Sequence, residues 1–451
     1  MSKRNIILLF ILLVILALVA LVSRAPKIGV ETDSGNSGSG FFSNFFRLPG
    51  SGNKDTTTKG TGGESTGTTD NEYVEVEMLA LRKVSSMPVA GFGVFSKETY
   101  SYVADPEKEV VVEGEGGDKK IENIKKPTPA PVAPGTELET TIRYVDRSTG
   151  NIYQNKAGVS DERKFSEIIM PGIHEAFFGK KGSAVILRYL KPDTEIVETF
   201  IREFPEDVLG ADVSTGGEVA GSFLPQNVVD VSVSGDGQNM FYISNVKSNA
   251  SGIIATAFGG NKTQVFSSPF TEWLTQWPNK NLITLTTKPA SGIPGFMYGI
   301  NPNMKDFNKI LGNINGLTTL TSPNGKFVLY ADDKLNLSVL DRETSELKTI
   351  NLKTLPEKCA WGVNSDVLFC GASKFTPYGS YPDQWYTGEV SFNDNVWQIS
   401  VADNFNAQLI VNPGSEVGES LDIIRPTLSE DGKYLFFINK KSPYLWELRL
   451  K

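Results

Sequence analysis

Seventeen consecutive apolar residues, Ile6 to Val22, follow Met1-Ser2-Lys3-Arg4 and end at Ser23-Arg24. As a helix this run is about 25 Å long, near the lower limit for crossing a bilayer core. It predicts an uncleaved signal-anchor within residues 1–30, with a cleaved signal peptide as the alternative. Both readings put the body outside the cytoplasm, anchored as a single-pass protein in the first case. Residues 31–72 then lose all periodicity and become Gly-, Ser- and Thr-rich, as in SGNSGSG and TTTKGTGG. Such a stretch cannot bury enough apolar surface to offset its ordering entropy, so it predicts a flexible linker. One motif interrupts it: Phe41-Phe42-Ser43-Asn44-Phe45-Phe46-Arg47. Four Phe in a solvated linker suggest a membrane-interface or partner-docking motif, or a segment resting on the protein's own body.

From residue 73 to 451 the pattern is short apolar strands separated by turn residues, without convincing helical periodicity. Three stretches share one form: Ser234-Gly235-Asp236-Gly237, Ser322-Pro323-Asn324-Gly325 and Ser429-Glu430-Asp431-Gly432, each followed by an aromatic or apolar strand. Asp-Gly and Asn-Gly tolerate the positive φ of a tight hairpin turn. A second hairpin form occurs at Tyr144–Tyr153 and Val339–Lys348, with weaker versions at Tyr298–Leu311 and Ile399–Val411. Two successive hairpins make a unit of four strands, repeated at intervals of roughly 40–60 residues, the signature of a propeller blade. First strands are expected to begin near Pro88, Gly172, Val228, Phe270, Leu317, Glu357 and Asp422. The expected fold is therefore an all-β propeller of seven four-stranded blades, with six or eight blades or a two-domain β-sandwich as alternatives. The last blade shows three strands, and residues 72–83, which alternate apolar and acidic, are expected to supply its fourth.

The S-x-D/N-G-K-aromatic turn followed by V-x-D-x-x-T hairpins resembles the WD40-like repeats of TolB-type propellers. Related repeats occur in propellers attached to prolyl-oligopeptidase-type peptidases. The resemblance spans roughly residues 73–451 and is sharp at the quoted turns and hairpins. It departs from true WD40 repeats in lacking the Trp-Asp and Gly-His dipeptides. What it implies is a fold, and with it the option of a TolB-like component of an envelope machine.

Charge narrows the partners. The chain carries 44 Lys and Arg against 52 Asp and Glu. Residues 1–72 hold 7 basic and 6 acidic residues, which leaves 37 against 46, or −9, for the body. Nucleic acid is excluded as a partner on that balance, since phosphate contacts need clustered Lys and Arg. One His, His174, and two Cys leave no material for a His- or Cys-based metal site, and no cofactor is expected. His174 is expected as a structural residue among Ile173, Phe177 and Phe178. The string Gly63-Glu64-Ser65-Thr66-Gly67 lies in the linker, where a nucleophile elbow has neither strand nor helix. No catalytic motif is found, so a non-enzyme is expected. Carboxylates drawn from different blades into the central channel, acting on a glycan, remain the enzyme alternative.

Two insertions and two cysteines complete the reading. Residues 105–138 are charged and Pro-rich, a solvated loop of the first blade. Residues 371–388 lie between the second and third strands of the sixth blade and carry Tyr378, Tyr381, Asp383, Trp385 and Tyr386. These residues form either a recognition patch for a protein or glycan, or a lid packed onto the neighbouring blade. Cys359 and Cys370 flank a hairpin midpoint between Asn364 and Ser365, so a symmetric hairpin sets them opposite each other. Outside the cytoplasm they are expected to form a structural disulfide.

Overall fold

The computed structural model describes residues 80–101, 135–166, 170–192, 194, 196–204 and 221–450. The apolar run, the linker and the Phe41–Phe46 motif lie outside them. Among the described residues no helix is long and apolar enough to cross a membrane.

Seven four-stranded antiparallel sheets account for the body. In the first six, the strands follow chain order from first to fourth. First strands are Val89–Ser101, Ile173–Gly179, Val228–Val233, Trp273–Asn279, Thr318–Thr321, Cys359–Trp361 and Ile423–Leu428. These starts follow the expected ones, the widest gap being Trp273 against Phe270. The seventh sheet is Ile423–Leu428, Tyr434–Asn439 and Leu445–Arg449, with Leu81–Lys83 as its outer strand. Leu81 stands opposite Leu448 and Lys83 opposite Trp446.

Unbroken buried apolar runs in the inner strands, such as Ala184–Leu187 and Met240–Ile243, give those sheets two apolar faces, and the core lies between neighbouring blades. Phe241 and Ile243 of blade three pack with Trp273, Ile283 and Leu285 of blade four. Phe369 and Val396 of blade six pack with Phe437 and Trp446 of blade seven. The first strands line the axis, as in any propeller. Antiparallel pairing then sorts the connections. Those from first to second and third to fourth strands share one face, here called the turn face. Those from second to third strands and between blades share the other, the loop face.

The Ser-x-Asp/Asn-Gly turns all join first to second strands, and one hydrogen-bond set explains them. The amides of Asn239, Phe327 and Tyr434 donate to Ser234, Ser322 and Ser429 Oγ at 2.9, 2.9 and 3.0 Å. Each Ser hydroxyl donates in turn to the Asp or Asn two residues on, at 2.6 to 2.7 Å. The following Gly takes φ of 71°, 74° or 70°, a region side chains disfavour.

Two expectations need correction. The hairpins Tyr144–Tyr153 and Val339–Lys348 are not equivalent: the first joins the second and third strands of blade one, the second the third and fourth strands of blade five. Their likeness is local, because Asp146 and Asp341 each accept a backbone amide two residues on, at 2.9 Å. The insertion of blade one is also shorter than 105–138. Strand Gly135–Asp146 pairs with Val89–Ser101 from Ser101 opposite Gly135 onward, so residues 135–138 are strand.

Candidate functional site

The inner wall is stitched across blades by side chains that act as extra rungs. Asp230 Oδ2 accepts the Thr275 amide at 2.6 Å, joining blades three and four. Gln276 donates to Thr319 O at 2.6 Å and accepts from Thr321 N at 2.8 Å, joining blades four and five. Arg188 donates to the carbonyls of Val228 and Val229, both at 3.1 Å, joining blades two and three. Towards the loop face Glu175 lies between two guanidiniums, Arg188 at 2.5 Å and Arg425 from blade seven. Arg425 holds a φ of 51° and its guanidinium lies over the Phe177 ring. Burial pushes the Asp230 carboxyl up to about 6, more than the Thr275 amide lowers it. His174, expected as a structural residue, stands on the first strand of blade two with its side chain exposed.

Towards the turn face the wall opens into a cavity of about 700 Å³. Leu320, Trp361 and Leu428, from the first strands of blades five, six and seven, supply its apolar side. Val363, from the blade-six turn, adds an exposed apolar tip, and Asp236 and Lys280 bring opposite charges from the turns of blades three and four. Trp361 is fixed by stacking on Phe327, with ring centroids 5.9 Å apart. Cys359 also lines the cavity, stands opposite Cys370 in register, and is joined to it by a disulfide. A concave, largely apolar space with few polar groups is the usual form of a ligand site.

The blade-six insertion is divided. Tyr381 and Trp385 are buried with Leu335, Leu355 and Phe392. Tyr378 is fully exposed and Tyr386 partly so, its hydroxyl donating to Glu357 at 2.5 Å. Asp383 accepts the Ser291 amide of blade four at 3.0 Å, so the insertion reaches over blade five. Beneath it lies a charge cluster that sequence reasoning missed. Lys358 Nζ lies 2.6 Å from Asp394 and also contacts Asp422, all three side chains wholly buried. Trp385 Nε1 donates to Asp422 at 3.1 Å, and Ser391 Oγ and Phe392 N donate to it at 2.8 and 3.0 Å. Burial pushes Asp394 up beyond what Lys358 recovers. At Asp422 burial acts the same way, but Lys358 and the added donors outweigh it and hold the carboxyl below its ordinary range. The five expected recognition residues therefore do not form one surface: two seal the base and the others sit around it. Phe41, Phe42, Phe45 and Phe46 lie outside the described residues.

No family model and no curated protein matches the chain. Among solved structures it is similar to an oligogalacturonate lyase of Vibrio parahaemolyticus, 9% identical with a TM-score of 0.45, covering 69% of this chain and 86% of that one. A mitotic checkpoint complex chain is 10% identical with the same TM-score and coverage. TolB of Acinetobacter baumannii is 8% identical with a TM-score of 0.38, covering 60% and 76%. Likenesses this distant carry no argument about activity. The propeller rests on the strand pairing itself.

Proposed function

We propose that the protein is a membrane-tethered, extracytoplasmic propeller that binds a protein or glycan of the cell envelope, as a scaffolding module or as a TolB-like part of an envelope machine. The apolar run and the linker support the tether, and the exposed hairpin turns suit recognition on a rigid disc. The observation that carries the binding reading is the turn-face cavity, where apolar and charged groups from five blades converge on one space. Crosslinking and mass spectrometry on native membranes, with the full chain and a Lys280→Glu, Val363→Arg variant, tests it. A stoichiometric partner captured by the wild type and lost in the variant is expected. A partner retained by the variant and lost on Tyr378→Ala would move the site to the blade-six insertion.

A second reading, a carboxylate-based enzyme acting on a glycan, is favoured by one observation: the raised carboxyl of Asp230 on the channel wall. A general acid working near neutral pH needs such a shift. Turnover of an envelope glycan by the full chain, abolished by Asp230→Asn, would establish it.

A further inference from the structure

We propose that the turn-face cavity takes the C-terminus of a protein partner, with an apolar last side chain against its wall and the terminal carboxylate on Lys280. This rests on the reading of that cavity as the binding site and narrows its ligand. The apolar wall is Leu320, Trp361, Val363 and Leu428, so a side chain placed against it gains by leaving water.

The polar side chains of the lining decide what else the ligand carries. Six of the seven are already engaged within the propeller. Asp236 Oδ1 accepts the Ser234 hydroxyl at 2.6 Å and the Gln238 amide at 3.0 Å. Asn279 donates to Pro323 O at 2.9 Å and accepts the Asn281 amide at 3.0 Å. Thr427 donates to Arg425 O at 3.3 Å, Trp361 donates to Leu320 O at 3.4 Å, and the Thr321 hydroxyl meets that of Thr284 at 3.4 Å. Cys359 is held in the disulfide. Lys280 is the exception: it is exposed, and among the described residues its ammonium has no hydrogen bond or ion pair.

A glycan brings many hydroxyls, and most would face groups that are already satisfied, at a cost for each one buried. One anionic group suits Lys280, and Asp236 on the same lining repels a second. A C-terminus meets that requirement with a single chain segment in the mouth. An internal acidic residue brings two flanking segments, whose amides and carbonyls meet the same satisfied wall. Turn residues such as Gly235, Lys280 and Val363 form the mouth, so it is open rather than the enclosed tunnel that a fatty-acid tail needs.

Fluorescence anisotropy on the full chain in phosphatidylcholine nanodiscs tests the assignment. The probes are labelled pentapeptides ending in Leu, Ile, Val, Phe or Met, each as the free carboxylate and as the amide. At least one carboxylate peptide is expected to bind at least about tenfold more tightly than its amide, the difference a hydrogen bond between charged groups supplies. Lys280→Gln, at an exposed turn, is expected to abolish that difference while leaving amide binding unchanged. Rising salt should shrink the difference in the wild type only. Val363→Ser is expected to weaken both forms alike, at least about fivefold. Equal binding of the two forms overturns the proposal, as does an unchanged preference in Lys280→Gln. Equal affinity for an amidated peptide with Asp beside its last apolar residue also overturns it, because any acidic side chain would then serve. Lys280-dependent binding of dodecanoate with no peptide bound overturns it in favour of a lipid carboxylate. If no peptide binds and partner capture is still lost on Lys280→Glu, Val363→Arg, the C-terminus is rejected and the site kept. If that capture is retained as well, the site itself is rejected.

Discussion

The ammonium of Lys358 lies 2.6 Å from the Asp394 carboxylate, and neither side chain has any exposure to solvent. With Asp422 on the same ammonium, the cluster ties the start of blade six to its third strand and to the first strand of blade seven. Buried ion clusters contribute little net stability, but breaking one leaves uncompensated charge in a low-dielectric interior. Lys358→Met strands two carboxylates and is expected to cost about 3–5 kcal/mol, read from urea denaturation. Adding Asp394→Asn should recover part of that loss, because one of the two stranded charges is removed.

Trp385→Ala tests the base of the insertion. The ring is buried and its N–H donates to Asp422, so truncation opens a cavity and removes a donor together. A loss of about 3–5 kcal/mol is expected. Limited proteolysis within residues 374–393 should accelerate, whereas Tyr378→Ala should leave both measurements unchanged.

Asp230 gives the fold a pH dependence of definite sign. Its native pKa is about 6, against about 3.9 in an unfolded chain. Between those values the native state holds a proton that the unfolded state has released. The contribution of this group is therefore complete below about pH 4 and is lost as pH rises through about 6. Asp230→Asn should flatten that decline, so the stability difference between wild type and variant should change between pH 4 and pH 6 and stay constant above about pH 7.

The disulfide closes a short loop, its cysteines being separated by 11 positions. Cys359→Ser with Cys370→Ser is expected to cost about 2–3 kcal/mol. Thermal unfolding with and without reductant should show the same loss in the wild type and no effect of reductant in the variant.

The blades were legible because their turns are local: Ser, Asp or Asn, and Gly within four residues carry the whole hydrogen-bond set. The facing cysteines were legible for the same reason, since hairpin symmetry alone fixes their register. The Lys358 cluster was not, because its members stand 28 to 64 positions apart and each looks like an ordinary surface charge. Trp385 and Tyr381 could be read as binding residues or as a lid, and only the packing of Leu335 and Phe392 against them separates those roles. Asp146 misled for the opposite reason. An Asp-led turn is so local that it is alike wherever it occurs, and says nothing about which strands it joins.

The pairing of Leu81 with Leu448 has a consequence for how the molecule is made. One sheet needs residues from both ends of the described chain, separated by more than 360 positions. During synthesis from the N-terminus, the early strand must wait unpaired until Leu445–Arg449 has emerged. The seventh blade is thus the last event of assembly, and a nascent chain stalled before it would expose a bare strand edge, the surface on which chains aggregate.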